Sequence, residues 1–232
     1  MYIAKDYDER KAEFLDTAMA LFLERGYDDT SVTAIIDAVG VSKGAFYHYF
    51  RTKEDLLDEI AARAGEQALA LTEPVVEDTG LSAIDKMNEM FARTNAFKAQ
   101  NNDLMITLAR VFYSDRNALL RARMSRRSVE ATAPALARIF AQGNAEGSMG
   151  VAHPEQTAAL ILELGATVVS GFARRLGELD TDPAVAGKLL LSMEVYTESV
   201  ERILGVAPGS LKLVDDSLMS LVRGATKKER KR

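Results

Sequence analysis

The spacing of the apolar residues constrains this chain most, because they recur every three or four positions from one end to the other. At that spacing they lie on one face of a helix, and the face can be buried against a neighbouring helix. No run alternates polar and β-branched residues between hairpin turns, as the strands of a half-buried sheet would. The sequence therefore predicts an all-α protein.

Start and stop signals divide the chain into successive helices. Serine, threonine and aspartate caps or first-turn prolines mark most starts, and Gly26 and Pro74 mark ends. The predicted helices cover about 8–25, 30–39, 42–49, 52–71, 81–100, 104–114, 118–146, 154–179 and 182–204. A last amphipathic helix is predicted from the spacing of Leu211, Val214, Leu218 and Leu221. Pro134 lies inside the long 118–146 helix and should kink it.

Composition excludes several classes of protein. The 232 residues include no cysteine, which removes disulfides, zinc fingers and thiol catalysis. The net charge of −5 argues against a protein that coats nucleic acid by bulk attraction, so any DNA binding must come from a local patch. The chain contains 47% hydrophobic residues, which is enough for a buried core.

Neither export nor membrane insertion is expected. The first residues lead directly into a charged stretch, 6–11, and lack the apolar core of a secretory signal. The most apolar stretch, 158–173, contains Glu163 and is followed by two arginines, so we expect it to be too short and too polar to span a bilayer. The sequence therefore predicts a cytoplasmic protein that does not bind membranes.

Catalytic constellations are also missing from the sequence. The two histidines, His48 and His153, lie in different regions and have no metal-ligand spacing. No phosphate-cradling loop, dinucleotide fingerprint or nucleophile elbow occurs. We therefore expect a protein that is not an enzyme and that has no catalytic residues, metal or cofactor.

Residues 30–57 meet the physical demands of a DNA-reading helix pair. Val32, Ile35 and Ile36 give the first helix an apolar face, and Gly40 permits a left-handed turn. Phe46 and Tyr49 can pack the second helix inward. Its outward residues are small or able to form hydrogen bonds: Ser42, Lys43, Gly44, Ala45, Tyr47 and His48. No carboxylate occurs between Asp37 and Glu54, so this surface is cationic and suited to phosphates and base edges.

At these residues the chain resembles the tetracycline-repressor (TetR) family of bacterial regulators. The resemblance rests on Gly40-Val-Ser-Lys-Gly-Ala-Phe-Tyr-His-Tyr-Phe and on Lys53-Glu-Asp-Leu-Leu57, and it is close to about Leu57. Beyond that point the chain agrees with the family only in length, helical character and helix order. The resemblance implies that DNA-contact positions are occupied by Thr33, Ser42, Lys43, Ala45, Tyr47, His48 and Lys53.

The same resemblance implies how the chain is divided into domains. Residues 1–55 form a helix-turn-helix DNA-binding domain, residues 56–222 form a larger helical domain for ligand binding and dimerisation, and residues 223–232 form a basic, disordered tail. The expected function is a homodimeric repressor that binds a palindromic double-stranded DNA operator and is released by a small, mostly apolar effector. The alternative is a helical ligand-binding or adaptor protein of the same fold that does not bind an operator.

Two sets of residues in the larger domain are candidates for these roles. Residues able to line an effector cavity are Met87, Phe91, Met105, Phe112, Tyr113 and Phe140, although methionine and phenylalanine also fill ordinary cores. Apolar stripes on the helices starting at Pro154 and Pro183 predict a four-helix dimer interface, although they could also pack within one subunit. That interface is predicted to contain Ile161, Leu164, Gly165, Val168, Phe172, Met193, Tyr196 and Val200.

Overall fold

The structure is a computed structural model that describes residues 7–113, 117–175, 178 and 182–213. Those residues form ten helices and no strand, which confirms the all-α prediction for this part of the chain. The helices are α1 Tyr7–Arg25, α2 Val32–Val39, α3 Lys43–Tyr49, α4 Lys53–Ala70, α5 Glu73–Glu77, α6 Ala83–Gln100, α7 Asn102–Phe112, α8 Ala118–Glu146, α9 Pro154–Arg174 and α10 Pro183–Leu204.

Side-chain caps fix the starts of α2, α3 and α4. Ser31 Oγ accepts a hydrogen bond from the Ala34 amide at 3.1 Å, and Ser42 Oγ accepts one from the Ala45 amide at 3.2 Å. Thr52 caps α4 in the same way. Gly40 ends α2 at φ +74°, a left-handed conformation that favours glycine. The predicted caps and the predicted turn are confirmed.

One apolar core joins α1–α4 to helices much later in the chain. Phe14, Phe46 and Leu56 are fully buried in it. The same cluster includes Phe112 of α7 and Leu120 of α8. The DNA-reading helices therefore pack directly on part of the larger helical region, and the proposed boundary at residue 55 passes through a continuous core.

A second core lies among α6, α8, α9 and α10. Met87, Phe140 and Ile161 are fully buried in this cluster, and Leu204 closes it from the end of α10. Leu211 and Leu213, which follow α10, are also buried in it. The second core is thus completed by a segment that is not helical.

Residues 210–213, which we call the strap, bind α6 and α10 through their main chain. Asn88 donates to the Ser210 carbonyl at 3.0 Å and accepts from the Lys212 amide at 2.7 Å. Asn95 donates to the Leu213 carbonyl at 3.1 Å. Buried Glu201 accepts from the Leu211 amide at 3.0 Å. The strap therefore holds α6 against α10 while its two leucines fill the core.

Several sequence expectations differ from the structure. Pro74 does not simply end a helix, because it occupies the first turn of α5, where a missing amide donor costs nothing. The helix from Pro154 ends at Arg174 instead of about residue 179. The prediction of a last amphipathic helix is wrong at Leu211, which lies in the non-helical strap because Glu201 of α10 binds its amide and Asn88 of α6 binds the amide of Lys212. Val214, Leu218, Leu221 and the tail 223–232 lie outside the described residues.

One described helix, α9, is long and apolar enough to cross a membrane by length and composition alone. Its 21 residues exceed the stretch considered in the sequence, so the expectation that it is too short is wrong. A single such helix is weak evidence for a membrane span, because the apolar helices of packed proteins satisfy the same test. Only 17% of its most apolar part is buried in this subunit, so much of an apolar helix faces outward.

Candidate nucleic-acid interface

Aromatic packing fixes which face of α3 points outward. Phe46 is fully buried, with its ring centroid 5.6 Å from that of Phe14 and 5.7 Å from that of Phe50. Tyr49 is half-buried and packs 5.6 Å from Phe14, as its inward assignment predicts. Because these rings hold one side of the helix, the opposite side of α3 faces solvent.

The outward face of α3 and the start of α2 present most of the predicted contact residues. Those exposed to solvent are Thr33, Ser42, Lys43, Gly44, Tyr47 and His48, and Ala45 is half-buried. The Lys43 ammonium lies 5.9 Å from the Tyr47 ring centroid, one helical turn away. We call these residues together the reading face.

Small residues keep the N-terminal end of the reading face open. A Cβ atom added at Gly44 would meet only Ser42 Oγ, at 3.9 Å. Among the residues that the structure describes, none therefore covers this part of the helix. A DNA backbone or base edge can approach the main chain of α3 here, as insertion into a major groove requires.

His48 and Tyr47 occupy different settings on the reading face. The His48 ring makes edge contacts with Tyr49 at 5.2 Å and Tyr7 at 5.9 Å between ring centroids. These rings limit the orientations of the imidazole. Tyr47 is 49% exposed, so its hydroxyl can reach a partner outside the subunit.

Lys53 is placed differently from the other predicted contact residues. Its ammonium donates to the Tyr27 carbonyl at 2.7 Å and to the Thr30 carbonyl at 2.9 Å. It also lies 4.1 Å from the centroid of the Tyr27 ring. Lys53 is thus bound to the loop between α1 and α2, and it is not brought together with the exposed residues of α3.

Tyr27 belongs to this internal contact and has no part in the reading face. Burial raises the pKa of its hydroxyl, and the negative charge of Glu54 raises it further. The phenol therefore stays neutral under ordinary conditions and acts as a packing ring beneath the Lys53 ammonium.

The structure separates the predicted effector residues into two groups. Met87, Phe91 and Phe140 belong to the second core, where Met87 and Phe140 are fully buried. The others lie in or against the first core, beside the DNA-reading helices: Met105, Phe112 and Tyr113. The six residues do not surround one space in this structure, and their role in effector binding stays a prediction.

The predicted dimer residues lie on the expected helices but are mostly turned inward. Ile161 and Val200 are fully buried within the subunit. Tyr196 donates its hydroxyl to the Ile161 carbonyl at 3.1 Å, and a Cβ at Gly165 would come within 2.9 Å of that hydroxyl. These contacts join α9 to α10 of one subunit. Of the remaining residues, Leu164 is exposed, Val168 and Phe172 are half-buried, and Met193 is buried.

Apart from Leu164, the exposed apolar residues on these helices are absent from the set predicted from the sequence. Leu160 and Leu164 are neighbours on α9, and Leu191 and Val195 are neighbours on α10, each pair separated by one turn. Both helices are apolar on more than one side, so periodicity could not show which stripe faces inward.

Arg51, which directly follows the α3–α4 junction residue Phe50, is a further exposed cation absent from the predicted set.

The described residues contain no group of three or more histidine, aspartate or glutamate side chains arranged to hold a metal ion. The chemistry available at the reading face is therefore that of hydrogen-bond donors, one lysine ammonium and aromatic rings. Such a face can bind phosphates and base edges.

A capped helix pair joined at a left-handed glycine, with the second helix exposed and cationic, defines a helix-turn-helix domain of the type found in DNA-binding regulators. Residues 14–60 match the family model described as bacterial regulatory proteins, tetR family. Over these residues the chain is therefore similar to the TetR family. The match begins at Phe14 within α1 and ends at Ile60 within α4, so it does not extend to the later helices.

The comparisons with individual proteins agree with this assignment. The chain is 30% identical over 89 residues to the HTH-type transcriptional repressor KstR2 of Mycobacterium tuberculosis, which is 38% of this chain and 44% of the relative. The chain thus spans less than half the length of this curated relative. A TetR-family regulator of Syntrophomonas wolfei has the same fold, with a TM-score of 0.58, 20% identity, and coverage of 83% of this chain and 97% of that one.

A second solved structure extends the fold comparison to nearly the whole chain. RolR in complex with resorcinol gives a TM-score of 0.58 at 16% identity, covering 95% of this chain and 94% of that one. At such identities the likeness establishes the fold of the larger region and says nothing of what this chain binds.

Proposed function

We propose that this protein is a cytoplasmic transcriptional repressor that binds a near-palindromic operator as a homodimer and is released by a small, mostly apolar effector. The observation that carries the proposal is the reading face. It combines an open backbone at Gly44, the Lys43 ammonium and the exposed Tyr47 hydroxyl on one side of α3. The opposite side of the same helix is fixed in the core by Phe46.

The charge pattern supports duplex DNA as the ligand of this face. The whole chain carries a net charge of −5, yet residues 38–53 contain no carboxylate. A polyanion is therefore attracted locally to α3 although the chain as a whole is acidic, which orients the protein on the duplex. A helical adaptor without operator binding would have no need to keep acidic residues out of this segment.

The outward apolar surface of α9 and α10 supports dimerisation. Leu160, Leu164, Leu191 and Val195 lie exposed in two adjacent stripes, and exposed apolar clusters of this kind mark contact sites. Two copies related by a two-fold axis would place four helices together and bury these stripes. Ile161 and Val200 would remain in the core of each subunit, and Leu164 is the member of the predicted set best placed for the partner.

The first experiment selects binding sites from genomic DNA and from a random duplex library. A dimer of reading helices should select sites with dyad symmetry and half-sites about 34 to 36 Å apart, or a multiple of this. Operators without symmetry, or no enrichment at all, would contradict the proposal. The genes beside the selected genomic sites would also indicate the class of effector.

Sizing the protein in solution tests the dimer surface separately. Leu191→Glu should convert the dimer to a monomer, because a charge would be buried between the two copies. Leu119→Glu is the matched control, since Leu119 is also exposed but lies on α8. Equal association of both variants would place the interface elsewhere.

The effector part of the proposal predicts reciprocal coupling between two sites. Met105 and Phe112, two of the predicted effector-binding residues, pack in the same core as α4 and the reading helices. A ligand there can shift the reading helices only through its different affinities for two arrangements, typically by about 1 to 3 kcal/mol, or roughly 5- to 150-fold. Operator DNA must then change ligand affinity by the same factor. Equal ligand affinity with and without operator would contradict effector control.

A further inference from the structure

The start of α4 is joined to the loop between α1 and α2 by one ammonium group. Lys53 Nζ donates to the carbonyls of Tyr27 and Thr30, at 2.7 and 2.9 Å, and lies above the Tyr27 ring. Hydrogen bonds from a charged donor are shorter and about twice as strong as neutral ones. The Lys53 side chain is therefore held in one place by three separate contacts.

The loop that Lys53 grips is itself anchored to the end of α1. Thr30 is fully buried, and its hydroxyl donates to the Gly26 carbonyl at 2.7 Å. Ser31, the next residue, caps α2. Lys53 thus connects the start of α4 to the residue before the α2 cap, and this contact helps set how the helix pair α2–α3 lies against α4.

A phosphate contact by Lys53 would require these bonds to break. The ammonium would have to leave two carbonyl acceptors and the face of a buried ring, which would lose their cationic partner. A nearby cation without such ties can meet a phosphate at much lower cost. Arg51 is that cation.

Arg51 lies at the junction between the reading helix and α4. It is exposed and, among the described residues, makes no hydrogen bond or ion pair. It borders an open recess together with Lys11, Asp55 and Glu59, and Glu59 already pairs with Lys11 at 2.8 Å. The guanidinium is thus free to turn outward, with two donors in a geometry that matches phosphate oxygens.

We propose that Lys53 is a positioning residue that fixes the reading helices against α4, and that Arg51 supplies the phosphate contact at this end of the interface. The inference rests on the proposed function, because it assigns roles within DNA binding. It replaces the expectation that Lys53 itself meets a phosphate.

The salt dependence of binding separates the two roles. Each phosphate neutralised by a cation contributes about 0.9 to the slope of log affinity against log salt on duplex DNA. With full-length protein and a selected operator, Arg51→Ala and Lys43→Ala should each lower the magnitude of the slope by about that amount. Lys53→Ala should keep the wild-type slope and weaken binding by a similar factor at every salt concentration, about tenfold.

A second variant covers the chance that Lys53→Ala unfolds the domain. Lys53→Gln removes the charge but keeps an amide that can donate to the loop carbonyls, so it should recover part of the lost affinity with the wild-type slope. Melting curves show whether each variant is folded at the temperature of the binding measurement. Lys212→Ala, an exposed lysine on the strap, controls for loss of charge alone.

The outcomes distinguish failure of this inference from failure of the proposed function. If either Lys53 variant lowers the slope by about one unit while Arg51→Ala leaves it unchanged, the assignment of roles is wrong and DNA binding stands. If the wild-type protein binds no duplex in a salt-dependent manner, both proposals are wrong.

Discussion

The reading helices and the strap region are stabilised by contacts of different range. In α2, α3 and α4 the capping side chains bond amides three residues away, as Ser42 does with Ala45. In the strap, Asn95 reaches a carbonyl 118 residues away, and Asn88 bonds residues 122 and 124 positions away. Local contacts specify the shape of the reading helices, whereas distant contacts close the core of the larger region.

This difference has consequences for stability and for function. The short helices α2 and α3, which we call the reading unit, can form their starts and turns from their own sequence. This keeps the geometry of the reading face fixed. The strap can form only after α6 and α10 have come together. Substitutions in the strap should therefore affect the global free energy of unfolding, whereas cap substitutions should act mainly on the reading unit.

The largest effect is expected when a strap leucine is truncated. Leu213→Ala removes a buried side chain from the second core and should lower the free energy of unfolding by about 2 to 5 kcal/mol. Lys212→Ala, its exposed neighbour, should change it by less than about 0.5 kcal/mol. Denaturant unfolding of both variants gives the comparison. Equal stabilities would mean that the strap does not complete the core.

A smaller effect is expected when the strap is released without loss of an apolar group. Asn95→Ala leaves the Leu213 carbonyl buried without its donor and should cost about 1 to 3 kcal/mol. Asn101→Ala is the control, since Asn101 donates only to the Phe97 carbonyl four residues back. Thermal unfolding should show the larger loss for Asn95→Ala. The reverse order would remove the contrast between distant and local contacts.

Removing a cap from the reading helix should cost about 1 kcal/mol. Ser42→Ala deletes the acceptor for the Ala45 amide at the start of α3, whereas Ser42→Gly should cost only a few tenths. Hydrogen exchange of the α3 amides is the measurement, because the loss of protection against exchange should be greater in α3 than in the second core. Uniformly faster hydrogen exchange across both cores would show that the two regions unfold as one unit.

An effect confined to high pH is expected at the contact between α9 and α10. Burial raises the pKa of Tyr196 to about 12, above the ordinary value of 10.0. Its contribution to stability is therefore complete below pH 10 and is lost as the pH rises toward 12, because the unfolded chain ionises first. Unfolding free energies across this range should fall more steeply for the wild type than for Tyr196→Phe. Parallel curves would mean that the hydroxyl is not buried.

The sequence predicts much of the reading unit because its signals are local. Residue type alone marks Ser42 and Thr52 as helix caps and Gly40 as a turn residue. The apolar spacing around Phe46 separates the inner from the outer side of α3. The resemblance implies a DNA contact for Lys53, and its sequence position does not reveal its hydrogen bonds to the carbonyls of Tyr27 and Thr30, which lie 26 and 23 residues earlier. The reading face was predictable, but the anchor behind it was not.

The larger region was less predictable because its helices are apolar on several sides. Ile161 and Leu164 follow the same periodicity, yet one is fully buried and the other is exposed. Only the packing of α9 on α10 distinguishes them. The helix predicted from Leu211 onward is wrong at Leu211 for a similar reason, because Leu211 continues a helical spacing while Asn88 and Glu201 bind the backbone of the strap in a non-helical form.

The most direct test of the reading face places a carboxylate on it without disturbing the fold. Gly44→Glu adds a side chain where a Cβ meets only Ser42 Oγ, and Gly65→Glu adds the same group on α4, where a Cβ meets nothing within 4 Å. Operator affinity and melting temperature should be measured for both. We expect Gly44→Glu to abolish specific binding with an unchanged melting temperature and Gly65→Glu to bind as the wild type does. Wild-type affinity in a folded Gly44→Glu variant would contradict the account.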